Sequence, residues 1–151
     1  MELAVRILEA EERELIRKIE ESTRQIPLMF PHPVDETFWV DDYWALKGEK
    51  ITVMDVKGPG RLDEAIFKSP SKNFTVTFTK DTVEVKINYD NVKTQTQVTG
   101  SFFSLIDEDE YVVGIRDHSF ITGAKIVVEA NEDLKFTRIY AKWNSIKWIK
   151  Y

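Results

Sequence analysis

The carboxylates of this chain come in adjacent groups. Asp41-Asp42 sits within FWVDDYW (38–44), Asp63-Glu64 within VKGPGRLDEAIF (56–67), and Asp107 to Glu110 is an unbroken acidic run. Two carboxyls flanking a glycosidic bond, with rings to stack on the sugar, make a glycosidase. Neighbours on a strand face opposite ways, so Asp41 and Asp42 cannot form that pair alone. A partner would come from elsewhere, such as Glu64 or Asp117. The same alternation separates Asp63 from Glu64. The acidic run offers the oxygens that calcium wants, but it lacks the glycine and distal glutamate of a calcium hand, and it reads as a solvated loop. His118, between Asp117 and Ser119, invites a triad. Triads are assembled in space, however, and no nucleophile elbow is present. His32 lies between prolines, and the chain's two histidines do not make a metal site. Gly58-Pro59-Gly60 could suggest a phosphate loop, but Pro59 removes an N–H and no Lys-Ser or Lys-Thr follows. A tight turn is the better reading. On these grounds the chain is expected to be non-enzymatic, with no catalytic residue, metal or cofactor.

A length of 151 residues suits one domain with a single core. The net charge of −5 disfavours nucleic acid and anionic membranes as partners. The chain has no cysteine, which removes disulfides, thiolate nucleophiles and cysteine-bound zinc. The start, MELAVRILEAEE, lacks a basic region followed by a clean apolar run, so no leader is read there. No apolar stretch reaches the length of a membrane span, and a soluble protein made in the cytoplasm is expected.

Two regimes must position these residues. Residues 1–25 hold strong helix formers and no glycine or proline. Leu8, Leu15 and Ile19 recur on one side of an amphipathic helix. That stripe must cover either the domain that follows or its equivalent in a neighbouring subunit. Residues 26–37 carry Pro27, Pro31 and Pro33 and read as an extended, pinned joint. Residues 38–151 read as β, with candidates at 51–58, 61–68, 73–80, 82–89, 110–117, 123–130 and 134–143, and a further one near 100–105. In 61–68 a weak alternation sets Leu62, Glu64 and Ile66 against Asp63, Ala65 and Phe67; a helix would put Leu62, Ala65 and Ile66 on one face, but the short segment between two strand candidates is read as a strand. The expected fold is mainly β: an antiparallel β-sandwich of jelly-roll type with one N-terminal helix.

Trp39, Tyr43, Trp44, Trp143, Trp148 and Tyr151 gather near the two ends of the β region. Any one ring could plug the core, Trp39 and Trp143 among them. Lys142, Lys147 and Lys150 interleave with the later ones, which suggests a half-exposed edge. Trp39, Tyr43, Trp44 and Trp148 are therefore candidates to stack on a glycan, or to form an oligomer contact.

The run from Ile51 to Val85 passes from strand to Gly-x-Gly bend, to Ala65-Ile66-Phe67, a Ser/Pro break, Asn73-Phe74-Thr75-Val76 and a hairpin at Lys80-Asp81. With Asp117 to Phe120, Ala124 to Val128 and Phe136 to Tyr140, it resembles jelly-roll domains of structural proteins of tailed phages and related viruses. The hairpin departs from the pattern, carrying Lys-Asp-Thr where such domains often carry Asp-Gly. The resemblance implies a capsid or tail-associated virion subunit without chemistry of its own. Its partners would be copies of itself, as a trimer or higher, or other virion proteins, with Leu8, Leu15 and Ile19 between protomers. The alternative is a carbohydrate-binding module.

Overall fold

The computed structural model describes residues 29–93 and 101–150, with side chains placed for 31–93 and 101–147. The expected helix with Leu8, Leu15 and Ile19, and the rings of Trp148 and Tyr151, lie outside these residues. The chain divides into two compact units: Met1–His32 with Lys147–Tyr151, and Pro33–Ile146. The second holds an antiparallel β-sandwich.

Its strands are β1 (Met29–Ala45), β2 (Lys50–Lys57), β3 (Gly60–Ser69), β4 (Phe74–Lys80), β5 (Val83–Ile87), β6 (Phe102–Asp107), β7 (Glu110–Phe120), β8 (Gly123–Ala130) and β9 (Leu134–Lys150). One sheet has the order β1-β9-β3-β7-β6 and the other β2-β8-β4-β5. Among the described residues no helix is long and apolar enough to cross a membrane.

Period-two patterning builds the core. In β4 the phenylalanines and Val76 point inward and the threonines outward. Val76 lies opposite Val128 and Phe78 opposite Ile126. From the facing sheet come Ala65 and Phe67 of β3, opposite Ile115 and Val113 of β7. All eight are buried. Full burial of each large side chain is worth about 1.5–3 kcal/mol. Phe74 and Phe136 meet edge to face across the sheets at 5.3 Å.

Turns close both ends. At one end Gly48 N donates to Ala130 O (2.7 Å) and Lys47 N to Asp133 Oδ1 (2.7 Å). At the other, Asp81 Oδ1 accepts from the backbone N–H groups of Ile121 (2.9 Å) and Thr122 (2.7 Å) and from the Thr122 hydroxyl (3.0 Å). These donors hold the Asp81 carboxyl below its usual pKa. The β4–β5 turn is thus tied to the β7–β8 turn.

Residues 61–68 lie in strand β3, but their weak alternation is broken. Leu62, Ala65 and Phe67 are all buried, and the β3–β9 register shifts between Leu62 and Glu64. A β-bulge there puts one extra residue on the outer face. The Gly-Pro-Gly turn holds, with Gly58 at φ +95°. Gly60 serves close packing instead: a Cβ there would collide with Asn144 O and the Phe120 ring. The acidic run is a two-residue hairpin turn, with Glu108 and Asp109 both at positive φ. Lys68 reaches Asp107 at 3.3 Å and Glu108 at 3.4 Å.

Candidate functional site

Asp42, at φ 52°, is the residue that shapes the surface of β1. Before it Phe38 faces the core, and after it Tyr43 and Ala45 do. One residue in left-handed conformation has shifted the phase of the strand. Trp39 and Trp44 are five apart and would otherwise face opposite ways. Both now lie outward, 52% and 74% exposed. β1 is the edge of its sheet, the place in a sheet where a proline such as Pro33 is tolerated.

Polar groups hold this face in shape. Trp39 Nε1 donates to Asp41 Oδ2 at 2.9 Å, and Arg138 Nε donates to Asp41 Oδ1 at 3.1 Å. The indole first, and then the guanidinium, hold the Asp41 carboxyl below its usual pKa. The Arg138 guanidinium lies over the Trp39 ring, 4.6 Å from its centroid, and Tyr140 meets Trp39 edge to face at 5.0 Å. Lys135 pairs with Asp42 at 3.1 Å and stands 6.0 Å from the Trp44 ring. Further along the same sheet, Arg116 lies over Phe103 at 4.3 Å. Phe103 is paired with Gly114, where any Cβ would strike its ring.

The four candidate stacking rings therefore divide. Trp39 and Trp44 share the outer face. Tyr43 packs against the core, and its hydroxyl donates to Glu49 Oε1. That acceptor raises the phenol pKa. Trp148 lies outside the described side chains. Trp143 is buried, with Nε1 donating to Glu36 Oε2 at 3.0 Å.

The carboxylates do not converge. Asp41 faces Arg138, Asp42 Lys135, Glu64 Arg116 and Asp117 Arg61. Among the described residues no group of three or more His, Asp or Glu side chains could hold a metal ion. Asp117 and His118 point to opposite faces. Asp117, at φ 55°, turns outward to Arg61 at 2.8 Å. His118 turns inward, between Phe78 at 5.0 Å and Phe102 at 5.1 Å. Burial first, and then the charge of Lys80, lower its pKa from the usual 6.5. Sequence reasoning named Trp39 and Trp44 but missed Arg138, Tyr140 and Lys135, which frame them. No spacing signal marks them: three apart on β9, Lys135 and Arg138 are expected on opposite faces.

No protein-family model and no curated protein matches this sequence.

Proposed function

We propose that this chain is a non-catalytic structural subunit that self-associates, of the kind that builds virions and tails, and that its sandwich is a jelly roll. The strand order supports the jelly-roll reading. Removing β6, which only extends the edge beyond β7, leaves β1-β9-β3-β7 over β2-β8-β4-β5. The chain then changes sheet at every connection except β4–β5, as two interlocked Greek keys require.

One observation carries the assembly reading: an edge strand presents two exposed tryptophans, framed by Arg138 and Tyr140. Trp, Tyr and Arg are the residues that anchor protein interfaces. Truncating a central anchor costs about 2 kcal/mol or more of association energy. The double variant Trp39→Ala/Trp44→Ala is expected to assemble at much higher concentration than wild type, with an unchanged circular dichroism spectrum. Identical assembly of the two proteins, measured by sedimentation, removes this face from the account.

The second reading, a carbohydrate-binding module, draws on Trp44, whose ring is the most open. Arg138 already covers the Trp39 ring, which leaves fewer free faces for a sugar. A shift of tryptophan fluorescence on adding a glycan, lost in Trp44→Ala, would favour it. No shift across a glycan panel would remove it.

A further inference from the structure

At the end of the sandwich carrying the Asp81 clamp, the two sheets part around a cavity of about 330 Å³. That is the lower end of the range for small-molecule sites, roughly 300–1,000 Å³. Its walls follow from register. Val83 lies opposite Lys80 and Val85 opposite Phe78 on β5 and β4. These four continue the inward row of Phe74 and Val76. Across the gap, Phe102 and His118 face them. Phe78, Phe102 and His118 form a triangle of rings with centroids 5.0–6.3 Å apart. His118 acts as a third flat wall. Its Nε2 is buried and has no hydrogen-bond partner, and its pKa direction favours the uncharged ring.

Lys80 is the anomaly. It occupies an inward position at the end of β4, among Val83, Val85 and Phe78. Among the described residues it makes no ion pair. Asp81 also lines the cavity, but its Oδ1 and the Asp117 carboxylate have other partners. Asp81 is turned to the amides of 121–123, and Asp117 is turned out to Arg61. A cation on an apolar wall gains most from an anion delivered with apolar surface attached.

We propose that this cavity binds a small carboxylic acid with an apolar tail, its carboxylate on Lys80 and its tail against the Phe78–Phe102–His118 triangle. The site is independent of the Trp39–Trp44 face.

The test titrates the full chain with octanoate, phenylacetate and octanol, followed by calorimetry and NMR. Saturable binding of one acid per chain is expected, with intermolecular NOEs to the Phe78 and Phe102 rings. Lys80→Met should weaken acid binding by about 10–100-fold, the worth of one hydrogen bond to a charge, and leave octanol unchanged. Val85→Trp fills the cavity and should abolish binding of all three. Failure of both acids to bind overturns the proposal. So does equal acid affinity in Lys80→Met, or binding without NOEs to those rings. The NOEs decide the matter in the wild-type protein, whether or not either variant folds.

Discussion

Single residues in this sandwich are placed by space and charge in ways that can be measured. His118 is inward, between two phenylalanines, near the Lys80 charge and with Asp117 as the nearby carboxylate. Its folded pKa lies below 6.5, so just below pH 6.5 the unfolded chain takes up a proton that the folded chain does not. Stability is therefore expected to fall as the pH drops from 6.5 toward the lower folded value, and to level off below it. His118→Leu should remove that slope in melting curves recorded across this range, and an unchanged slope would contradict the placement. Gly114 is a second case. The Phe103 ring, held by Arg116, fills the space where its Cβ would be. Gly114→Ala must push the ring aside and is expected to cost about 1–3 kcal/mol in denaturant unfolding, the usual penalty of overpacking.

At the scale of elements, one-residue phase shifts decide which side chains reach which face. Asp42 in β1 and Asp117 in β7 both adopt positive φ within strands. Non-glycine residues reach that region rarely, and Asp more readily than most. Asp42→Val should therefore cost about 1–3 kcal/mol, while Asp42→Gly should be nearly neutral. The lost pair with Lys135 is exposed and contributes little. Equal stability of the two variants by chemical denaturation would show that the left-handed turn is not needed. The strands themselves were legible in the sequence, because Phe74-Val76-Phe78 and Ala124-Ile126-Val128 keep a clean period of two and the turns between them are rich in Gly, Pro, Asp and Asn. The phase shifts were not legible. Each rests on one aspartate that reads as an ordinary surface residue, and strict alternation separates Trp39 from Trp44 and mispairs Leu62 with Glu64. The cavity was illegible for a further reason: Lys80 looks like a turn residue until the β4–β5 register sets it opposite Val83.

For the molecule as a whole, the two sheets share one core, and the aromatic face of β1 and β9 lies outside it. Exposed tryptophans on an edge strand are costly for a solitary sandwich and useful to one that meets a partner. At this scale the proposal is self-association with copies of the same chain. The most direct measurement is solution mass, by light scattering of the full chain over a dilution series. A trimer or larger closed assembly that persists to micromolar concentration is expected. A monomer throughout the series would contradict it.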